Sequence, residues 1–422
     1  MKSIFLKFVV FITATLFFFN INAQTAPKVK YVFLFIGDGM GLNQVFLTEK
    51  YNENFKRSPL VFLGAAWKFG IVKTECADSN KITDSGAGGT AIACGQKTKY
   101  GSIGEYNAKP LQSIAEYLHS INFKTGLITS VPINHATPAC LYGHEPTRRN
   151  YDNLINDLME SKFDLFAGGG FLTGNADTSK NIYKNFNNVL NKLKTNKFQL
   201  VLNEDELKKL NNKCNFPLIV IDTAIRNKQS LIKNAYIDEK NALPFALDFP
   251  EYKGKLAQFT EIAENVLYNE YGFFIMVEGG KIDWACHDND ALTAIYEIDA
   301  FNDAIKKAYD FYRKYPDNTL IIVTADHETG GMSQGAGYDE NSGSYVNSYA
   351  LYVSKFSAQK KSYLFLDGIT LNDYNNSAQI GWTTNEHTSM PVGIWSIGPG
   401  SGSFTGIMQN SDLKEKILRL VR

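Results

Sequence analysis

The chain has 422 residues, 44% of them hydrophobic and 20% charged, with as many basic as acidic side chains. That is the composition of a soluble globular protein with room for one large domain or two ordinary ones. The net charge is zero and falls to −2 once the first 23 residues, with Lys2 and Lys7, are removed, which excludes nucleic-acid or anionic-membrane binding through bulk charge.

Residues 1–23 read as an export signal. Lys2 and Lys7 precede an apolar run from Phe8 to Phe19, and Asn20-Ile21-Asn22-Ala23 offers a small residue for cleavage. The run is about a dozen residues, too short to span a bilayer comfortably. Export to the periplasm or the medium is therefore favoured over a retained N-terminal anchor. The rest of the chain has no internal repeat and no long Pro/Gly/Ser linker, and buried-strand patterns alternate with helical ones. This predicts an α/β fold: a three-layer α/β/α sandwich around a large, mostly parallel sheet, with residues 24–422 in one domain.

Tyr31–Ile36 is an unbroken apolar run that ends in Gly37-Asp38-Gly39-Met40-Gly41. Flanking glycines let the Asp38 carboxylate reach inward toward a cation, although Gly-Asp-Gly alone is an ordinary turn. Next, Lys81-Ile82-Thr83-Asp84-Ser85-Gly86-Ala87-Gly88-Gly89-Thr90 sets a lone serine at the mouth of a small-residue helix. Each glycine inside a helix costs about 1 kcal/mol relative to alanine. Gly86, Gly88 and Gly89 therefore mean either a pliant helix or one that packs very closely. The cysteines, Cys76, Cys94, Cys140, Cys214 and Cys286, are odd in number with no close pair, so neither a zinc knuckle nor a disulfide framework is expected. They read as small buried hydrophobes, with Cys286 the one nearest the chemistry.

His135 lies two residues before the hydroxyl of Thr137, and Arg148 and Arg149 follow; His119 and His144 read as ordinary core or surface histidines. An Asn/Lys-rich stretch at about 174–214 and a Tyr/Ser/Asn-rich stretch at about 338–376 read as surface insertions. Leu256, Phe259, Ile262, Ala263, Val266 and Leu267 keep helical spacing before the apolar run Phe273–Val277, which ends in Glu278-Gly279-Gly280. Ile295, Ile298, Phe301, Ile305 and Ala308 repeat the spacing before Leu320–Val323, which ends in Thr324-Ala325-Asp326-His327. Strand, helix, strand is the crossover unit of a parallel sheet.

Open α/β sheets bind ligands beyond the carboxyl ends of their strands, so three strand ends converge on one site. There the chain supplies Asp38, then Glu278 and Asp283 with Trp284 and His287, then Asp326 with His327, and finally His387 within Thr384-Asn385-Glu386-His387-Thr388. Nitrogen and carboxylate donors without a thiolate pair suit catalytic zinc, and a carboxylate and hydroxyl set suits magnesium.

The motifs Asp38-Gly39-Met40-Gly41, Thr83-Asp84-Ser85, His135-Ala136-Thr137-Pro138, Val277-Glu278-Gly279-Gly280-x-Ile282-Asp283, Thr324-Ala325-Asp326-His327 and Glu386-His387-Thr388 occur in the order of a known family. In them the chain, from Tyr31 to about Pro399, resembles the metal-dependent alkaline phosphatases, phosphomonoesterases with two zinc ions and one magnesium ion. The resemblance implies Ser85 as the nucleophile of a covalent phosphoserine mechanism. It implies Asp283, His287 and His387 around the first zinc, Asp38, Asp326 and His327 around the second, and Asp38, Thr137 and Glu278 around magnesium. Arg148 falls at the phosphate-clamping position, with Asp84 orienting it and Arg149 as the adjacent alternative. Where some bacterial members carry Asp and Lys, this chain has His135 and Trp284, as in a subset of marine and cold-adapted enzymes, which implies a looser magnesium site and weaker product retention.

The expected partners are small-molecule phosphate monoesters, with no specific nucleic acid and no stable membrane anchor, and the family resemblance allows a homodimer. The alternatives are a phosphodiesterase or sulfatase of the same superfamily, or a binding protein that has lost catalysis.

Overall fold

The computed structural model describes residues 29–174, 186–210, 214–229, 231–233, 235, 240–339, 343–347, 359–366 and 368–421. The expected export signal lies outside them. The centre is a ten-stranded sheet. Its strands, in chain order, are β1 (Tyr31–Ile36), β2 (Lys68–Lys73), β3 (Lys124–Thr129), β4 (Leu165–Gly168), β5 (Gln199–Val201), β6 (Leu218–Ile221), β7 (Phe273–Glu278), β8 (Thr319–Thr324), β9 (Val392–Ile397) and β10 (Gly406–Gln409). Across the sheet they lie in the order β10-β2-β9-β8-β1-β7-β3-β4-β6-β5. Every neighbouring pair is parallel except the two made by β9, which runs antiparallel to β8 and to β2.

Strands β1, β7 and β8 are buried along their whole length. This is why they read as continuous apolar runs: a parallel sheet covered on both faces has no polar side to alternate with. The helices fall into two sets. In chain order, those that bear on the site are α1 (Leu42–Asn54), α2 (Ser85–Cys94), α3 (Ala136–Ala139), α4 (Lys255–Leu267), α5 (Lys281–His287) and α6 (Ala291–Lys314). α1, α4 and α5 pack on α6, whereas α2 packs on α3 and on helices Ile114–Ser120 and Leu413–Val421. The stripe Ile298, Phe301, Ile305 and Ala308 of α6 is fully buried, with Phe301 edge-on to Phe35 of β1 at 5.7 Å. Strand β1 lies between β7 and β8, so the α5 and α6 crossover passes over it.

The register decides where the chemistry sits. Ile36 pairs with both Thr324 and Glu278, and Glu278 pairs with Thr129, so four adjacent strands finish level. Whatever follows those residues emerges at one edge of the molecule. Within the stretch expected as a first insertion, the helix Phe186–Thr195 buries Leu193 in the core and Gln199–Val201 is the edge strand β5 of the large sheet. Residues 175–185 and 211–213 of it lie outside the described residues. In the second stretch a hairpin, Ala336–Asp339 with Ser344–Asn347, and the helix Gly368–Ser377 are described, while 340–342, 348–358 and 367 are not. Among the described residues no helix is long and apolar enough to cross a membrane.

One core residue carries a pH signature. Glu264, on α4, is 6% exposed, and its Oε2 has no hydrogen-bond partner among the described residues. Burial, more than its charged neighbours, pushes its carboxyl up to about 8. An unfolded chain releases this proton near pH 4.5 while the folded one keeps it, so stability declines from pH 4.5 to about 8 and then levels off. Glu264→Gln should remove that slope, raising stability at pH 8.5 by on the order of 2 kcal/mol with little effect at pH 4.5, as read from urea unfolding at both values.

Candidate active site

The site is built first from backbone. Gly39 has φ +69°, and a Cβ there would lie 2.7 Å from Thr329 Oγ1 and 2.8 Å from Asp283 Oδ1, so only glycine allows the turn that brings Asp38 inward. Its N–H donates to Asp326 Oδ1 at 3.3 Å. Asp38 and Asp326 each sit two residues beyond paired strand ends, and both are fully buried. Asp283 and His287 are one helical turn apart on α5, on one face. A short antiparallel pairing of Glu328–Thr329 with His387–Thr388, Thr329 opposite His387, carries His387 to the same place.

Three sets of donor atoms converge there, each within 4.8 Å of one another: Asp283 with His327 and His387, Asp38 with Asp326 and His327, and Asp38 with His135 and Glu278. His287 joins the first through Nε2, 3.3 Å from Asp283 Oδ2 and 3.2 Å from His387 Nε2. In the second, His327 Nε2 lies 3.3 Å from Asp38 Oδ1 and 3.7 Å from Asp326 Oδ2. Thr137 Oγ1 stands 3.5 Å from Asp38 Oδ2 and 3.4 Å from Asp326 Oδ2, on the side of Glu278.

Ser85 opens α2, and its Oγ lies 3.4 Å from His327 Nε2 and accepts from Arg148 Nη1 at 3.2 Å. Asp84 caps the helix, accepting from the N–H groups of Gly86 and Ala87 at 3.2 and 3.1 Å. It also accepts from Gly101 N–H at 2.8 Å and Arg148 Nη1 at 3.0 Å. Arg148, not the exposed Arg149, faces the serine. Arg148 Nη2 meets His135 Nε2 at 3.3 Å, and His135 packs edge-on to Trp284 at 5.7 Å.

Electrostatics divide the cluster. Burial, reinforced by the neighbouring carboxylates, lifts Asp38 well above the ordinary range, Asp326 to about 7 and Glu278 to about 8. Asp283 goes the other way: against burial, the imidazoles of His287, His387 and His327 hold it well below. Burial lowers His327 and His387, and burial with the Arg148 charge lowers His135 to about 3. His287 is set against burial by Asp283, which draws it up to about 9. Asp38 Oδ1 and Glu278 Oε1 are buried with no hydrogen-bond partner among the described residues. Crowded carboxylates with unsatisfied oxygens, beside the His327 and His387 imidazoles whose charging burial opposes, fit multivalent cations.

Thus every expected site residue is brought to one place. Sequence reasoning missed the supports. Thr129 Oγ1 donates to Glu278 Oε2, and Thr329 Oγ1 donates to Asp283 Oδ1 at 2.5 Å while lying 3.3 Å from His327 Nδ1. Gln44 Nε2 donates to Glu328 Oε1 at 2.7 Å and Thr329 O at 2.9 Å, tying α1 to that loop. Thr329 falls two residues after His327, the one signal that could have marked it. Cys286 is buried with its thiol pushed well up by burial, an inert packed group. All five cysteines are free. His144 bonds Glu116 at 2.9 Å and Gly104 O at 2.8 Å, and His119 approaches Asp164 at 3.6 Å, both away from the cluster.

The glycines of α2 are there for close approach. A Cβ on Gly88 would lie 2.7 Å from Asp326 O, one on Gly89 3.0 Å from Cys140 Sγ, and one on Gly86 3.1 Å from Ser102 O. Gly88→Ala should therefore destabilise by about 2 kcal/mol through the clash, outweighing the helix-propensity gain of about 1 kcal/mol. A stabilised variant in thermal unfolding would show instead that the helix is merely pliant.

Carboxylates and imidazoles at the carboxyl edge of a parallel sheet, facing one serine under an arginine, define a metal-dependent α/β hydrolase of the phosphoryl-transfer kind. The alkaline phosphatase family model matches residues 29–421. Alkaline phosphatase 4 of Bacillus subtilis is 29% identical, over 94% of this chain and 90% of its own. The alkaline phosphatase of the Antarctic bacterium TAB5 superposes with a TM-score of 0.71 at 30% identity, covering 93% of this chain and 99% of its own. A mutant of that enzyme with magnesium bound in its M3 site gives 0.70 at 29%, covering 93% and 98%. The chain belongs to the alkaline phosphatase family, metal-dependent hydrolases of phosphate monoesters.

Proposed function

We propose that the chain hydrolyses phosphate monoesters through a phosphoserine on Ser85, at a site for two zinc ions and one magnesium ion. The observation that carries this is the position of Ser85 Oγ, 3.4 Å from His327 Nε2 and 3.2 Å from Arg148 Nη1, between the ligand cluster and the clamp. Asp283, His287 and His387 would hold one zinc, Asp38, Asp326 and His327 the other, and Asp38, Thr137 and Glu278 the magnesium. The magnesium bound in the M3 site of the TAB5 mutant supports a third site in this chain. Once bound, the metals supply Lewis-acid charge that activates a serine hydroxyl and stabilises a leaving oxygen.

The protein's own groups do the rest. The Arg148 guanidinium, oriented by Asp84, takes two equatorial oxygens of the phosphate in a fork that lysine could not form. Ser85 Oγ attacks phosphorus in line, helped by the positive end of α2, and the bond to the alcohol oxygen breaks as the serine ester forms. Water then attacks the phosphoserine, releasing inorganic phosphate and restoring the hydroxyl. The combined set of Asp38, Thr137 and Glu278 together with the Arg148 clamp favours this over the diesterase or sulfatase reading. Residues 1–23 are read as the signal that exports a single catalytic domain, 24–422, to the periplasm or the medium.

Ser85→Ala should lower kcat/KM for p-nitrophenyl phosphate by at least about a thousandfold and leave no phosphoenzyme in rapid-quench trapping. Labelled phosphoserine in that variant, or faster release from bis-p-nitrophenyl phosphate or p-nitrophenyl sulfate by the parent, would overturn the assignment. Dialysis against a chelator should abolish activity. Zinc alone should restore part of it and zinc with magnesium the remainder; full recovery on zinc alone would remove the magnesium role.

A further inference from the structure

The rim of the site carries an aromatic ring that no step above uses. Tyr100 is 48% exposed, and Ile82, three residues before the serine, is 44% exposed. Tyr100 is wired to the clamp through its neighbour: Gly101 N–H donates to Asp84 Oδ1 at 2.8 Å, and Gly101 O accepts from Arg148 N–H at 2.7 Å. Its own N–H is fixed by Asp78 Oδ2 at 2.9 Å. Beside Gly101 the space is open, for a Cβ there would meet nothing within 4 Å. The bonds of Gly101 to Asp84 and Arg148 put the turn that carries Tyr100 beside the clamp, and the phenol feels the charges of Asp84, Arg148, Glu386 and Arg149.

A phosphate seated on Ser85 and Arg148 has to project its alcohol outward, past this rim. We propose that Tyr100 is the surface on which the leaving group lies, biasing the enzyme toward phosphate monoesters with a planar aromatic leaving group such as a nucleoside. This rests on the monoesterase reading. The turn that presents the phenol is held by three hydrogen bonds of its backbone, so stacking has only the two side-chain torsions of a tyrosine left to immobilise. The Lys81 ammonium, 5.3 Å from the ring centroid, and the exposed Arg149 attract any phosphate ester and so do not discriminate. The ring, unlike these charges, can tell a flat leaving group from a flexible one.

The test is the ratio of kcat/KM for adenosine 5′-monophosphate to that for glycerol 2-phosphate, measured on the metal-loaded parent, Tyr100→Ala and Tyr100→Phe. Loss of one stacked base should lower the ratio about fivefold or more in Tyr100→Ala, chiefly through KM for the nucleotide. Tyr100→Phe should keep the parent ratio, since the ring remains. A ratio in the alanine variant within about threefold of the parent overturns the proposal, as does a phenylalanine variant that falls as far as alanine. A parent that releases phosphate from neither ester is a different failure: it sinks the monoesterase reading, and this inference with it.

Discussion

Four carboxylates, Asp38, Glu278, Asp283 and Asp326, are buried within reach of one another, and the rest of the molecule is arranged around that fact. Burying a charge is costly unless a partner balances it. The protein's own cations do not balance these: burial opposes charge on His327 and His387, His287 is committed to Asp283, and Arg148 is paired with Asp84. Burial first, and then the neighbouring carboxylates, raise Asp38, Asp326 and Glu278. A fold that maintains such a cluster draws its balance from bound cations, which is why metal dependence follows from the side chains as well as from the family.

The cluster is enforced by backbone register more than by side-chain choice. Ile36, Thr324, Glu278 and Thr129 end level, so Asp38 and Asp326 emerge from adjacent strands with the same two-residue reach. Gly39 and Gly88 then remove the atoms that would hold these segments apart. Tight packing of this kind transmits small displacements, because interiors have few voids in which to absorb them. The supports Thr129 and Thr329 act at the same level, orienting Glu278 and Asp283 with hydrogen bonds to one oxygen of each, while Gln44 holds the loop that carries Thr329.

Most of this was legible because strand ends and motifs coincide. Continuous apolar runs announced β1, β7 and β8, and the residue types that followed them announced the carboxylate and imidazole donors. What the sequence could not convey is geometry between segments far apart in the chain. Nothing in Thr329 or Gln44 marks them as supports until the turn at Gly39 and α1 are seen against the same loop. The three glycines of α2 read equally well as pliancy or close approach, since propensity is local whereas the contacts of Gly88 with Asp326 and of Gly89 with Cys140 are not. Likewise β5 and the helix before it have a surface-like Asn/Lys composition, yet Leu193 and its neighbours are buried in the core. Amphipathic elements at a sheet edge carry enough polar residues to pass for decoration.

His135 shows how one side chain links the clamp to the third donor set. A guanidinium only donates, so the imidazole that meets Arg148 Nη2 at 3.3 Å must accept through Nε2. A neutral imidazole has a single lone pair. If His135 joins Asp38 and Glu278 as a ligand through Nε2, that lone pair is spent; if through Nδ1, then Nε2 must carry the proton and opposes the arginine. In either case His135 serves the donor set or Arg148, not both at once. With a carboxylate in its place there would be oxygens for both duties. The conflict is intrinsic to an imidazole at this position, and it weakens the donor set of Asp38, His135 and Glu278 from within the chain itself.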